Sequence, residues 1–571
     1  MSVPAVSLCL LLSLWRAPLP AAGPQDGPAA RERLLARVPE LGLDAGTDFR
    51  VLDVEAVPAG TRHVRLQQLY RGLRVWGGQA ITHRDGRGRE TPMTDALVRD
   101  IRLDAMPSLE RSEALAIAWA REAPGGTFTR PPRAELVVLA PGVLVPAPRV
   151  RGMAGPCRLV YHVHLELRPA AGGIRHDDCF VDAGTGAVLK TWSSLMTAAL
   201  AKGTPVNTTG ASEYSGTVQL GSLQQDGGFL LFDPTRGNIS TRDLGGAAGG
   251  DGRLYANPLP AWGDGRNYDA GQGTGSANGQ TAAVDAHYGL MTTWDFYRNI
   301  LGRDGIDGKG RPAANLVHYD HGYDNAFWSD DCFCMTYGDG STFRTLTAMD
   351  VVGHEVSHGL CHATADLMYW GESGGLNEAN SDIFGVMINF YAKGAMGKGS
   401  RIPDDKGAWT IGADLATTQA PGPLRYLYKP SLDGASKDAW GWFLWWQDVH
   451  HSSGPMNRAF YFLSQGASAD PKDDTYSEYL PKGMAGIGND KALRIWWQTL
   501  ATELTPCSGY WAARRGAIRS AQELYGEDGA EVAAVRSAFD AVNVGGWWAE
   551  NALNVQGDDP TMVGPATSAV P

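Results

Sequence analysis

The sequence predicts an α+β fold of two lobes, one β-rich and the next mainly helical, behind a smaller α+β unit. Three observations carry this: short strands and Gly-rich turns from Gly203 to Gln280, helical apolar spacing from Met456 to Val542, and a separate alternation of strands and a helix from Pro28 to Leu195. At 571 residues the chain has length for several cores. Hydrophobic residues at 43% and charged residues at 20% lie in the globular range. A net charge of -12 argues against nucleic acid as a partner.

In chain order, Val3 to Trp15 is a short apolar run followed by Pro18-Leu19-Pro20-Ala21-Ala22-Gly23. It reads as a signal peptide over 1–22 cut near Ala22, too short and too early for a transmembrane helix. No Lys or Arg precedes the run, which leaves a disordered N-terminus as the alternative. Phe49 to Val54 and His63 to Leu66 read as strands, and Asp85-Gly86-Arg87-Gly88 as a turn. Ser108 is expected to cap a helix running to Ala123, stopped by Pro124-Gly125-Gly126. Leu159, Tyr161, Val163, Leu165 and Leu167 alternate as in a strand, and Cys179 to Asp182 leads into the turn at Gly184-Thr185-Gly186. The junction Thr197 to Gly203 is rich in small residues, where proteolytic nicking concentrates.

Within the β-rich lobe, Asp285 reads as the N-cap of a helix carrying Tyr288, Trp294 and Tyr297; His287 is an alternative metal ligand but has no partner near in sequence, and a structural role is the expectation. Met335 to Gly340 reads as an edge strand and turn. In the helical lobe, Met456–Leu463, Asp490–Leu504, Trp511–Leu524 and Ala530–Val542 are predicted helices, Gly526 a stop, and Val532, Val535, Phe539 and Val542 one apolar face. Trp547 to Pro571 is a tail, with removal and disorder both open. Cys157 and Cys179 fall before the lobes, and Cys332, Cys334, Cys361 and Cys507 within them, so disulfides are possible in an oxidising compartment, with connectivity open. A metal at Cys332-Phe333-Cys334 is a weak signal.

The chemistry is concentrated between Val351 and Asp382. In His354-Glu355-Val356-Ser357-His358, the four-residue spacing puts both imidazoles on one helix face, able to reach a single zinc ion, with Glu355 beside them. A hydrolytic zinc site takes three protein ligands and leaves the fourth position to water. Glu378, twenty residues past His358, is the expected third ligand, carried on a second helix packed against the first. Asp382, one helical turn further on, is placed to hold the outer ring nitrogen of a zinc-bound histidine.

With Asn377-Glu378-Ala379-Asn380-Ser381-Asp382 at this distance from the His354-to-His358 motif, the chain resembles the thermolysin family, in its branch with pseudolysin and vibriolysin, from about Gly203 to Val544. The resemblance implies a secreted zinc endopeptidase of the zincin fold, a metalloendopeptidase made as a zymogen. It implies a propeptide over 23–200, of two subdomains at about 28–105 and 106–198, that assists folding and inhibits the enzyme. The β-rich lobe with the zinc helix is expected over 201–355, the helical lobe over 356–546 and the tail over 547–571. Glu355 is implied as general base, and Tyr369 and His450 as donors to the oxyanion. The Asp448-Val449-His450-His451-Ser452-Ser453-Gly454 arrangement is the pseudolysin one, with Asp448 orienting His450 and with His451 a competitor for the role. Asn325, Ala326 and Arg425 match residues that hold the substrate backbone, while packing is the expectation for Phe327 and Trp328. Val351, Leu424 and Ile411 match the pocket for the residue after the cut, which implies cleavage before bulky hydrophobic residues. Packing is also the expectation for the run Trp442 to Trp446.

Calcium is a departure from the family pattern. Asp350 matches a calcium ligand, but Val386, Asn389, Ala408, Thr410 and Ala413 stand where relatives carry Asp or Glu. The usual Ca2+ site is expected to be lost or weakened, with Asp350 a helix cap and Asp404-Asp405 a local contributor. Protein and peptide substrates are the expected partners of a monomer. Two other readings are a zincin that has lost activity and binds peptides, and a structural zinc site closed by Cys361 or His362.

Overall fold

The computed structural model describes residues 25–545 apart from 57–60, 123–126, 129–130, 141–156, 169–174, 194–202, 226, 331, 395–400 and 404–407. The segment 1–22 read as a signal peptide, most of the junction before Gly203, Asp404-Asp405 and the tail 547–571 therefore lie outside the described residues.

The N-terminal region forms one nine-stranded sheet in the order Thr47–Ala56, Arg62–Tyr70, Leu73–Arg84, Arg133–Leu139, Arg158–Arg168, Arg175–Asp182 and Val188–Ser193, with two short strands off this path. Its two halves join where Leu73–Arg84 pairs in parallel with Arg133–Leu139. Helix α1 (Asp26–Ala36) covers a core of Leu34, Phe49 and Leu66, and helix α2 (Arg111–Glu122) a second core of Ala114, Ala118, Val163 and Leu165. The two expected subdomains thus have separate cores but share a sheet. Ser108 does not cap α2. Its N–H and that of Leu109 donate to the Ala183 carbonyl, and the helix starts at Arg111, after the Glu110 N–H has bonded the Glu113 carboxylate.

Strand Arg158–Arg168 is covered on both faces. Tyr161, Val163 and Leu165 pack under α2, while Val160 joins Val137 and Phe180 in a second cluster that meets Met368 and Trp370 of the helical lobe.

The β-rich lobe holds a five-stranded sheet built on Thr204–Ser212 and Gly216–Gln225, and a six-stranded sheet in which Ala326–Ser329 is an edge strand against Cys334–Gly338. Helix α3 (Ala277–Phe296) is buried along nearly its whole length. Its N-cap is Ser276, whose hydroxyl accepts from the Gly279 N–H, and Asp285 lies well inside the helix instead of starting it. The Asp285 carboxylate is buried and accepts from the Ser212 hydroxyl and the Glu213 N–H. His287 is buried in the same helix between the Thr241 hydroxyl and the Gly221 carbonyl. Cys332 and Cys334 are joined by a disulfide, which removes both sulfurs from the metal reading of that pair; Cys361 is a buried thiol.

Helix α4 (Met349–His362) runs unbroken through 355 and 356, so the expected seam between lobes falls inside a helix and the chain turns only after His362. Helix α5 (Gly371–Gly394) lies across it, and almost every residue of α5 to Tyr391 is buried. The helices meet at glycines. A Cβ on Gly385 would stand 2.6 Å from the Asp350 carbonyl oxygen and 3.1 Å from the His354 nitrogen. The close crossing draws the two motif segments together.

The helical lobe continues with α6 (Val449–Ser452), α7 (Gly454–Gln465), α8 (Asn489–Thr502), α9 (Tyr510–Tyr525) and α10 (Ala530–Asp540). Gly526 ends α9 in a left-handed φ of 94°, as its position suggested. Val532, Val535, Phe539 and Val542 are all buried. Among the described residues, no helix is long and apolar enough to cross a membrane.

Asp350 sits in the first turn of α4 and is buried; one oxygen accepts from the Val351 N–H at 2.9 Å, the other from the Gly412 N–H at 3.0 Å. Each oxygen thus already accepts one backbone donor. Millimolar calcium against a calcium-selective chelator is therefore expected to leave thermal stability unchanged at this position. A site held at a hundred times its dissociation constant would instead add about 2.7 kcal/mol.

Candidate active site

Helix α4 carries His354, Glu355 and His358, and α5 carries Asn377, Glu378, Ser381 and Asp382. Each imidazole is fixed by a bond from its Nδ1. His354 Nδ1 lies 2.7 Å from Asp382 Oδ1, and His358 Nδ1 lies 2.8 Å from Asn377 Oδ1 and 3.1 Å from Ser381 Oγ. An acceptor at Nδ1 holds the proton there and leaves the Nε2 lone pair free. The two Nε2 atoms face each other at 3.2 Å. Glu378, fully buried, sets its carboxylate against them, with Oε1 3.4 Å from His358 Nε2 and Oε2 3.6 Å from His354 Nε2. Glu378 Oε2 is buried with no hydrogen-bond partner.

Two convergent lone pairs and a buried anionic oxygen without a donor are an arrangement that a cation completes. The three residues fit a zinc ion, and their donor atoms lie within 4.8 Å of one another. Glu355 stands at 4.0 Å from both Nε2 atoms, beside this set and not in it. Its Oε2 accepts from the Trp328 N–H at 3.2 Å. Burial pushes the Glu355 carboxyl up to about 7, with His354 pulling the other way.

Asp382 is the hub behind the histidines. Besides His354 it accepts from Arg425 twice, Nε at 2.8 Å and Nη2 at 2.7 Å, and from Asn457 Nδ2 at 2.8 Å. Burial alone would raise its carboxyl, but Arg425 and the bond from His354 outweigh that and hold it well below the usual carboxylate range. Asn457, on α7 and 75 residues away in sequence, has no motif that would have announced it.

Across the opening stand Tyr369 and His450. The Tyr369 hydroxyl donates to Glu378 Oε1 and lies 3.3 Å from His450 Nε2. Asp448 Oδ1 is 2.6 Å from His450 Nδ1 and also accepts the His450 N–H. His450, not His451, is the ring that reaches Tyr369. The other wall is the edge strand Ala326–Ser329. Asn325 is exposed just before it, its Oδ1 accepting the Ala326 N–H. Trp328 packs edge-on to Phe333, and Phe327 to Tyr319, as expected. Ile411 pairs with Arg425 in a two-residue strand pair, and the Leu424 N–H donates to the Ile411 carbonyl.

The run Trp442 to Trp446 departs from its expectation. It forms a short 3-10 turn after Gly441, with Leu444 buried but Trp442 65%, Phe443 52% and Trp446 81% exposed. A turn this short has no second face to bury.

The family description "Thermolysin metallopeptidase, catalytic domain" matches residues 207–362, and "Thermolysin metallopeptidase, alpha-helical domain" matches 365–544. The "Fungalysin/Thermolysin Propeptide Motif" matches 47–94. A "Transglutaminase-activating metalloprotease" of Streptomyces mobaraensis is 36% identical over 523 residues; the match covers 88% of this chain, and the chain spans 62% of that relative's length. A "Thermolysin" of Alicyclobacillus acidocaldarius is 32% identical over 537 residues, covering 88% of this chain and 87% of its own. Among solved structures, a precursor of protealysin from Serratia proteamaculans is 27% identical and covers 54% of this chain and 87% of its own, at a TM-score of 0.40.

Proposed function

We propose that this chain, which belongs to the thermolysin metallopeptidase family, is a secreted zinc-dependent endopeptidase held inactive by its own N-terminal region. The observation that carries the reading is the convergence of His354 Nε2, His358 Nε2 and the buried Glu378 carboxylate. These three residues would hold the zinc ion, which when bound supplies Lewis-acid polarisation of a peptide carbonyl and acidifies a water.

The chain's own groups do the rest. Glu355, poised beside the ligand set and oriented by the Trp328 N–H, takes a proton from the attacking water and returns it to the leaving amine. Tyr369 and His450 donate to the oxygen that gains charge as the peptide carbonyl becomes tetrahedral. Asp448 would keep His450 oriented and charged, so that both ring nitrogens carry protons and Nε2 can donate. An extended peptide laid along the edge strand gains main-chain hydrogen bonds whatever its sequence. The Asn325 side chain, the Ala326 carbonyl and Arg425 would bind that backbone. Val351, Leu424 and Ile411 would form the apolar pocket for the residue after the cut.

Zinc-dependent hydrolysis of internally quenched peptides that differ only at the residue after the cut tests this. Leu and Phe there should be cleaved faster than Asp or Gly; a flat profile would refute the pocket assignment. In the same assay Tyr369→Phe combined with His450→Gln should lower kcat by about 10²–10³-fold with unchanged zinc content.

Residues 23–200 are read as the inhibitory propeptide, and protein or peptide substrates as the partners of a monomer. Met368 and Trp370, which flank Tyr369, pack against the N-terminal sheet, which supports inhibition by contact close to the oxyanion donors.

A further inference from the structure

The N-terminal sheet lays a polar face on the helical lobe. On strand Arg62–Tyr70, His63 and Arg65 point to the same side, and on the next strand His83 stands directly opposite His63. Arg65 donates to the Ala501 and Leu504 carbonyls at 3.0 and 2.8 Å, at the C-terminal end of α8, where the helix dipole favours a cation. Beside it, His63 Nδ1 and His83 Nδ1 are 2.7 Å apart, and His83 Nε2 is 3.2 Å from the Thr94 hydroxyl.

Glu503 faces the two rings from the end of α8. Its Oε2 is taken by Arg519 Nε at 2.8 Å and by the Thr94 hydroxyl at 3.2 Å, but Oε1 is buried with no hydrogen-bond partner. His63 Nε2 is likewise buried without one; Glu523 Oε2 is 3.7 Å away. His63, His83 and Glu503 are each 2% exposed, and a donor atom from each lies within 4.8 Å of the others. A pair of buried imidazoles can exchange one proton between them, yet that does nothing for the Glu503 oxygen across the interface. An unserved buried carboxylate oxygen is costly.

We propose that His63, His83 and Glu503 bind a second divalent transition metal, zinc by its two nitrogens and one oxygen, that clips the N-terminal region to α8. The donor set is the same in kind as that of the active site and suits zinc better than calcium or magnesium, which take oxygen ligands. Two ligands come from the N-terminal region and one from the helical lobe, so the site is whole only while the two are together. On the reading of 23–200 as a propeptide, the metal retains that segment after the connecting chain is cut.

The test counts zinc in the full chain. Glu355→Ala chain is stripped of metal, equilibrated with zinc sulfate, desalted and measured by mass spectrometry of the metal. About two ions per chain are expected, and about one after His63→Gln with His83→Gln is added. Should that double variant fail to fold, Glu503→Gln, which keeps both rings, is expected to weaken the second ion at least tenfold in competition with a chromogenic chelator. The complementary chain, His354→Gln with His358→Gln, should keep about one ion. One ion in the Glu355→Ala chain, or none in the His354→Gln, His358→Gln chain, overturns the proposal. A single ion in the Glu355→Ala full chain, with peptide hydrolysis by wild type freed of residues 23–200, would sink this site and spare the peptidase reading; two ions in the full chain, with no hydrolysis by the freed wild type, would do the reverse.

Discussion

Replacing Glu355 with glutamine is expected to abolish measurable peptide hydrolysis while zinc stays bound. The proposed ligands are His354, His358 and Glu378, and Glu355 stands at 4.0 Å from either Nε2. An amide keeps the volume and can still accept the Trp328 N–H, but it cannot take a proton from water. Loss of a positioned general base costs about 10²–10⁴-fold, and here the same carboxylate serves in both halves of the reaction, so the upper end is expected. The check is kcat/KM on a fluorogenic peptide beside zinc content per chain. Equal zinc with wild-type turnover would remove Glu355 from the chemistry.

The second large effect is expected from Asp382→Ala. Asp382 is fully buried and bonds His354, Arg425 and Asn457 together. Its removal leaves a largely buried guanidinium without its partner, which costs up to about 3–5 kcal/mol. It also frees the His354 ring, and loss of such an orienting carboxylate weakens metal affinity by about 10–100-fold. Chemical unfolding and a zinc competition titration read the two effects separately. The sign with pH follows from the carboxyl being held below its ordinary range: its contribution is complete above about pH 4 and is lost as pH falls through the folded-state value. Wild type should therefore lose this share of stability only in acid, and the stability gap to Asp382→Ala should narrow there.

What could be read before the structure was what local spacing encodes. The four-residue step from His354 to His358 fixes a shared helix face, and the same step from Glu378 to Asp382 puts the proposed ligand and its support on adjacent turns. The helices of the second lobe were legible to within a few residues for the same reason, and Gly526 marked its stop. Contacts made across the fold left no such trace. Asn457 reaches Asp382 from another helix, and the Trp328 N–H that orients Glu355 belongs to the backbone, which has no letter of its own. The crossing of α4 and α5 depends on Gly385, which in sequence is one glycine among 72.

The misplaced starts of two helices have separate causes. Ser276 follows a Gly-rich run that reads as loop, so the next polar residue with apolar company, Asp285, took its place as the expected cap. Ser108 has the right side chain, but its backbone N–H is engaged by Ala183. His63 reads as a strand residue, His83 belongs to no motif, and Glu503, some 440 positions after His63, falls near the end of a predicted helix. Only the packing of the N-terminal sheet on α8 brings them together.

The most direct measurement is hydrolysis of casein by the chain freed of residues 23–200, assayed as purified, after zinc-selective chelation and after zinc is restored, with fragments identified by mass spectrometry. The account predicts internal cuts before bulky hydrophobic residues, their loss on chelation and their return with zinc. A zinc-loaded, folded chain that leaves casein intact would contradict it.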